Sequence, residues 1–461
     1  MPYFFISAAH KSSGKTTLSI GLTAAFLARG MSVQTFKKGP DYIDPLWLSA
    51  ASGRSCRNLD FFTMRRDEIL QNFAHFMQHS ELGIIEGNKG LYDGLDLEGS
   101  NSNAALASLL QAPVILVIDA RGMTRGIAPL ILGYQSFDPN IRIAGVILNK
   151  VGGSRHEEKL RRVIEHYTDV SVVGAVHYAP GLVIDERHLG LLPSNEAEQA
   201  REKISNLGDA VASQVDLQRV LEIAGSTSLV LPAENISPDA GRSGKCVRIG
   251  YPQDRAFGFY YPGDLEKMAA AGAELIPFDC TRDTRLPDVD GLFIGGGFPE
   301  SSMELLEQNQ SMRGEIRAFI ENGGAAYAEC GGLMYLARSL TWKSKTCKMA
   351  GVIPAKAVMH ARPQGRGYVR LKERSESPWP ALINQNQVIS AHEFHYSALE
   401  GLPGNTRFAY DVLRGTGVDG KKDGIIYKNL LASYTHLRDV GGNQWTRRFL
   451  AHVERVKGGV N

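Results

Sequence analysis

The stretch that most constrains this chain is Ala9-His10-Lys11-Ser12-Ser13-Gly14-Lys15-Thr16-Thr17. It lies between an apolar run, Tyr3-Phe4-Phe5-Ile6, and an amphipathic one, Leu18 to Arg29. Strand, tight loop and helix form the context in which G-x-x-x-x-G-K-[ST] binds phosphate. Loop and first-turn N–H groups face the phosphates, and the helix N-terminus favours negative charge. Lys15 would reach the outer phosphates and the Thr16 hydroxyl would ligate Mg²⁺, with Gly14 and Thr17 completing the nucleotide-holding set. One position departs from the pattern, because Ala9 stands where the first glycine belongs.

The rest of the first half alternates short apolar strands with helical stretches, which predicts a mainly parallel α/β sheet. Ser32 to Lys37 reads as a strand delivering Lys38-Gly39-Pro40-Asp41-Tyr42-Ile43-Asp44-Pro45. Its two carboxylates fit turn chemistry and a ligand site equally well. Leu82-Gly83-Ile84-Ile85 ends in Glu86, at the carboxyl edge where open α/β sheets carry ligands. A carboxylate there, across from the phosphate loop, suits Mg²⁺ or its water. Asp93 follows in a loop with Gly87, Gly90 and Gly94.

The runs Pro113 to Asp119 and Ile143 to Asn149 are apolar enough for strands buried on both faces. Asn149-Lys150-Val151-Gly152 is like the guanine-reading N-K-x-D, but Gly152 replaces the aspartate. That favours ATP over GTP. Asn149 reads equally as an adenine contact or a helix cap. Val172 to Val176 is a further strand, and Ser194 to Ala224 looks helical. Gly225 to Lys245 is rich in Gly, Ser, Pro, Asn and Asp and reads as a linker. The expected division is therefore 1–224, linker 225–245, and 246–461.

Alternation restarts at Cys246-Val247-Arg248-Ile249-Gly250. Asp264 to Ala271 predicts a helix and Glu274 to Pro277 a strand. Gly291-Leu292-Phe293-Ile294 runs into Gly295-Gly296-Gly297, whose N–H groups suit an oxyanion. Gly324 to Met334 places Cys330 between a short strand and Gly331-Gly332, the setting of a nucleophile elbow. A helix starting there would lower the thiol pKa; a buried structural cysteine is the bland alternative. A nucleophilic Cys needs a base, usually His. His360, His392, His395 and His436 lie downstream, and His436 lies in Leu430 to Leu437, just past a probable strand. His392 and His395 have a metal-like spacing but no evident third ligand.

Composition excludes several classes. The chain has 461 residues, 51 basic and 49 acidic, for a net charge of +2, and no basic run that would engage nucleic acid or an anionic membrane. Five scattered cysteines without a CxxC point to free thiols and a reducing cytoplasm. The phosphate loop begins too near Met1 for a signal peptide, and no apolar run approaches the ~20 residues of a membrane span.

Taken in order, Gly39 to Pro45, Glu86-Gly87 with Gly90-Leu91-Tyr92-Asp93-Gly94, Gly296 to Glu300, Glu329-Cys330-Gly331-Gly332 and His392 to Ser397 resemble the glutamine-dependent cobyrinic acid a,c-diamide synthase family. Hydrogenobyrinic and sirohydrochlorin-type relatives belong with it, and the resemblance spans about residues 3 to 440. It implies a phosphate-loop, dethiobiotin-synthetase-like ATP domain followed by a class I glutamine amidotransferase-like domain. It also implies that Lys15 and Thr16 hold ATP phosphate and Mg²⁺. Asp41, Asp44, Glu86 and Asp93 match acidic positions serving metal, nucleotide or substrate, with Thr16, Asp41 and Glu86 as the metal set. Cys330 and His436 match the nucleophile and base, and Gly296, Gly297 and Gly331 fall at the oxyanion hole.

Ordinary class I glutaminases carry H-x-E, but position 438 is Arg. A Cys–His pair without a third acid is expected. The implied substrates are L-glutamine, ATP and an acidic tetrapyrrole, and a homodimer is left open. The tetrapyrrole would be cobyrinic acid or, for a relative of the same family, sirohaem or sirohydrochlorin. The rival from another class is a switch ATPase built on the same nucleotide fold, with a non-catalytic second half.

Overall fold

The computed structural model describes residues 1–184, 186–187, 190–191, 193–194, 199–227, 246–381 and 387–459. The chain divides into two compact units, Met1–Ile236 and Ser237–Asn461. Most of the expected linker, including Leu229 to Leu231, lies outside the described residues.

Unit one is built on a seven-stranded sheet. Its strands are β1 (Tyr3–Ala8), β2 (Val33–Lys38), β3 (Arg57–Leu59), β4 (Leu82–Glu86), β5 (Val114–Asp119), β6 (Ile143–Val151) and β7 (Val172–His177). Their order is β3-β2-β4-β1-β5-β6-β7, and every neighbouring pair is parallel. Parallel strands need crossovers, and the helices that supply them cover both faces, so the central strands are mostly apolar, while β2 also buries Gln34, Thr35, Lys37 and Lys38. Helix α1 (Lys15–Ala28) packs Leu18, Leu22, Ala25 and Phe26 against Phe4, Ile6 and Ala8 of β1. Each of these large side chains gains about 1.5–3 kcal/mol on burial, and Leu22→Ala would cost about 2–5 kcal/mol. The N-cap of α1 is Gly14 at φ 91°, a left-handed conformation that glycine adopts without penalty.

The helical stretch expected over Ser194 to Ala224 is two helices among the described residues, Ala200–Gln214 and Leu217–Gly225. Val215 between them is extended and bridges to Gly174 of β7. Asp216 then caps the second helix by accepting from the Arg219 N–H at 2.9 Å. Sequence periodicity continues across the break because both helices bury the same kind of face.

Unit two holds a nine-stranded mixed sheet. Its strands are β8 (Arg248–Pro252), β9 (Glu274–Phe278), β10 (Gly291–Ile294), β11 (Ala325–Glu329), β12 (Gly365–Glu373), β13 (Val388–His395), β14 (Arg407–Arg414), β15 (Lys422–Tyr427) and β16 (Leu430–Ser433). The order is β9-β8-β10-β11-β16-β15-β14-β12-β13. The strands from β9 to β16 run parallel, and the remainder pair antiparallel. One face packs Ile294, Ala328, Leu333 and Leu336, the other Phe293, Tyr327, Trp445 and Phe449. The parallel half aligns the carboxyl ends of β10, β11 and β16, the edge at which such sheets carry ligands. No described helix is long and apolar enough to cross a membrane.

Candidate active site

In unit one the carboxyl ends of β1, β2 and β4 lie side by side, so Thr16, Lys37 and Glu86 meet. The Thr16 hydroxyl donates to Glu86 Oε1 at 2.7 Å, with Asp44 Oδ2 at 3.2 Å. The Lys37 ammonium is buried at their centre. It pairs with Asp44, with Glu86 Oε1 at 2.8 Å and with Asp41 Oδ2 at 3.7 Å. Burial pulls the Lys37 pKa down, but Asp44, Glu86 and Asp41 hold it well above the ordinary value.

The carboxylates respond unequally to this cation. Burial would raise Asp44, yet the charge and hydrogen bond of Lys37 hold it below its ordinary value. Burial wins at Glu86, whose pKa is raised. Asp41 is raised by burial and by the charge of Asp44. Lys15 is pulled down to about 8, first by burial and then by Lys37.

Asp41 also caps the helix Ile43–Ser52, accepting from the N–H groups of Ile43 at 2.9 Å and Asp44 at 3.2 Å. Its turn chemistry and its place near Lys37 therefore coexist. Asp93 is exposed and accepts from Gly90 N–H at 2.9 Å. Thr17 sits one residue beyond Thr16 in the first turn of α1. The Asn149 amide donates to Ser13 O at 2.8 Å, and a Cβ on Gly14 would come within 2.1 Å of its nitrogen. Asn149 thus braces the phosphate loop from the end of β6.

Among the described residues no group of three or more His, Cys, Asp or Glu forms a ready metal site. Glu86 Oε2, however, is buried without a hydrogen-bond partner. With Thr16 and Asp44 beside it, the donor set is all oxygen, which fits Mg²⁺ held jointly with phosphate.

In unit two, Cys330 follows β11 at φ 46° and begins the helix Gly331–Leu336. This is the strained strand-to-helix turn expected of a nucleophile elbow. Its N–H donates to Ser433 O of β16 at 2.8 Å, and Sγ lies 4.0 Å from Phe394 O. Gly331 packs so closely that an added Cβ would stand 2.9 Å from Gly297 N, so the two backbones share one small space. Gly296 lies against His436, where a Cβ would meet the imidazole Cε1 at 2.6 Å.

The expected low thiol pKa is not found. Burial, then the charges of Glu300 and Glu329, push Cys330 well up, against the pull of the Gly331 N–H. The helix after Cys330 has only six residues, and its end does not offset this burial. At rest the group is a thiol that needs a base.

His436 follows β16 and exchanges backbone hydrogen bonds with His392 of β13, at 2.8 and 3.4 Å. The two imidazoles stack at 4.9 Å. His395 stacks on Tyr434 at 3.9 Å and uses Nδ1 on Ser397 O at 2.8 Å. The histidine pair thus frames the site rather than pointing at a common metal. Contrary to the expected Cys–His pair without a third acid, a carboxylate does face His436: Glu329 Oε2 lies 3.3 Å from Nδ1. Arg438 lies over the Tyr261 ring at 4.9 Å.

Two residues escaped the sequence reading. Lys37 lies inside β2, one residue before its end, although a lysine so near the end of a buried strand beside an acidic loop is a usable signal. Glu329 was passed over as part of the motif around Cys330, although it is the one charge in Ala325-Ala326-Tyr327-Ala328-Glu329.

Comparison with known proteins agrees with this two-site layout. Residues 5–191 match the CobQ/CobB/MinD/ParA nucleotide binding domain, and residues 248–440 match the CobB/CobQ-like glutamine amidotransferase domain. A cobyrinate a,c-diamide synthase of Magnetococcus marinus is 47% identical, over 99% of this chain and 98% of its own. Those of Methanosarcina acetivorans and Archaeoglobus fulgidus are each 40% identical, over 95% and 99% of this chain and 93% and 98% of their own. The match through both halves sets aside the switch-ATPase reading. The chain belongs to the cobyrinate a,c-diamide synthase family and is a nucleotide-binding, glutamine amidotransferase-type ligase.

Proposed function

We propose that residues 1–224 activate a carboxylate with ATP and that residues 246–461 hydrolyse glutamine to supply ammonia. The substrate carboxylates are the a and c acetates of a corrin, with cobyrinic acid first among the candidates. The observation that carries this reading is the presence in one chain of two differently equipped centres: Lys37 among carboxylates beside the phosphate loop, and Cys330 after β11 with His436 after the paired strand β16.

In the glutaminase unit, His436 takes the Cys330 proton as sulfur bonds to the side-chain carbonyl carbon of glutamine. Gly297 and Gly331 N–H groups, beside Gly296, hold the oxyanion. The C–N bond breaks as His436 returns the proton to nitrogen, and ammonia leaves. Water then cleaves the thioester by the same exchange, releasing glutamate.

In the synthetase unit, Lys15 and the N-terminus of α1 bind the ATP phosphates, with Asn149 bracing the loop toward the adenine side. Thr16, Asp41, Asp44 and Glu86 would hold Mg²⁺, which when bound would draw charge from the transferring phosphoryl group. Lys37 keeps these carboxylates from repelling an anionic nucleotide and a polyacid, and Asp93 lies at the rim for substrate. A substrate carboxylate oxygen bonds to the γ-phosphorus and ADP departs. Ammonia then attacks the acyl carbon and phosphate leaves. A carboxylate is a poor electrophile, so the acyl-phosphate step is what ATP provides.

The test offers cobyrinic acid and sirohydrochlorin separately with ATP and glutamine, reading mass for successive acid-to-amide changes. Mono- and then diamide from the corrin is expected. Product from sirohydrochlorin alone overturns the corrin choice, and product from neither removes the tetrapyrrole reading. Heavy oxygen in the substrate carboxylate should pass into the released phosphate; its absence there contradicts the acyl-phosphate.

A further inference from the structure

We infer that Glu329 is the positioning residue that holds His436 for proton exchange with Cys330, replacing the acid that H-x-E places two residues after the histidine. The inference rests on the reading of Cys330 and His436 as the glutaminase pair.

Glu329 ends β11, one residue before the nucleophile, and its side chain is buried. Oε1 is fixed by two donors, the Tyr327 hydroxyl at 2.6 Å and the Leu437 N–H at 2.9 Å. That second bond ties the carboxylate to the backbone directly after His436. Oε2 is thereby turned to the imidazole, 3.3 Å from Nδ1. A carboxylate on Nδ1 selects the tautomer protonated there, so exchange with the thiol falls to Nε2. The same negative charge stabilises the imidazolium formed when the thiol proton arrives.

The surroundings leave this work to Glu329. Arg438 occupies the usual position of the acid but lies over Tyr261. His392 covers one face of the His436 ring, and burial, followed by the charges of His436 and Arg438, keeps it well below its ordinary pKa. His392 therefore restrains the ring without offering a carboxylate. The raised thiol makes the assistance necessary, since Cys330 does not supply a thiolate by itself.

The route also differs from H-x-E in chain order. There the acid and the base share one segment. Here the acid and the nucleophile are neighbours on β11, and the base comes from the end of β16, which pairs with β11 in parallel register from Ala326 with Leu430 to Glu329 with Ser433. One strand pair fixes all three groups.

The test is Glu329→Gln, which keeps the shape but removes the charge. Glutamine hydrolysis is expected to lose about 10²–10⁴-fold in kcat, as for a triad acid, with KM for glutamine nearly unchanged. Ammonium-driven synthesis, which bypasses the thioester, is retained. An undiminished kcat overturns the inference. A parallel loss of ammonium-driven synthesis also overturns it, because it marks Glu329 as merely structural. Cys330→Ala is run beside it. If that variant still hydrolyses glutamine, the Cys330–His436 reading fails; if it is inactive while Glu329→Gln keeps full kcat, only the role of Glu329 fails.

Discussion

Thr16, Asp41, Asp44 and Glu86 gather around the buried Lys37 ammonium in one unit, whereas Cys330 and His436 are set in the other by the ends of paired strands. The first centre is balanced by charge. Lys37 holds Asp44 below its ordinary pKa, whereas burial wins at Glu86. The second is fixed by backbone, through Cys330 N–H to Ser433 O and the exchange between His392 and His436.

Within unit one the largest expected effect is at Lys15, and it separates the two centres. Lys15→Ala should lower amide synthesis by about 10²–10³-fold with either nitrogen source, since it removes a cation from the transferring phosphates. Glutamine hydrolysis measured in the same preparation should persist. Undiminished synthesis would break the assignment of the phosphate loop.

A second substitution asks whether charge balance stabilises unit one. Lys37→Met leaves Asp44 and Glu86 buried without their cation, a change that costs about 3–5 kcal/mol in comparable buried pairs. Both carboxylates then shift above their unfolded values. The destabilisation should be full at neutral pH and shrink as pH falls and they take up protons. Urea unfolding at several pH values checks this; a pH-independent loss, or none, contradicts it.

The smallest effect concerns Lys15 itself. Because burial and Lys37 pull its pKa down to about 8, it is charged below that pH and neutral above. ATP affinity of the free protein should fall about fivefold as pH rises from about 8 to about 9, by titration of that one group. The sign for folding is opposite: the cost of charging a buried Lys15 is present below about 8 and is relieved as pH rises toward its ordinary value. A flat affinity over this window would contradict the shift.

Much of this arrangement is legible in the sequence. Apolar strands and glycine turns announce themselves locally, so Gly14 to Thr16, Glu86 and the turn at Cys330 are found from adjacent residues. What escaped depends on register between distant strands. Lys37 meets Glu86 because β2 and β4 pair with those two residues in register, and nothing near Lys37 in sequence states that. Glu329 meets His436 across β11 and β16 for the same reason. The thiol pKa was misjudged because burial is a property of the folded unit, while the helix that follows Cys330 is visible in the sequence.

The most direct measurement compares nitrogen sources in Cys330→Ala. The account predicts that glutamine-driven amidation is abolished while ammonium salt at alkaline pH still supports it near the parent rate, since Cys330 serves only to release ammonia. Loss of the ammonium-driven rate in a folded Cys330→Ala protein, or survival of the glutamine-driven one, would contradict two centres with separate chemistry.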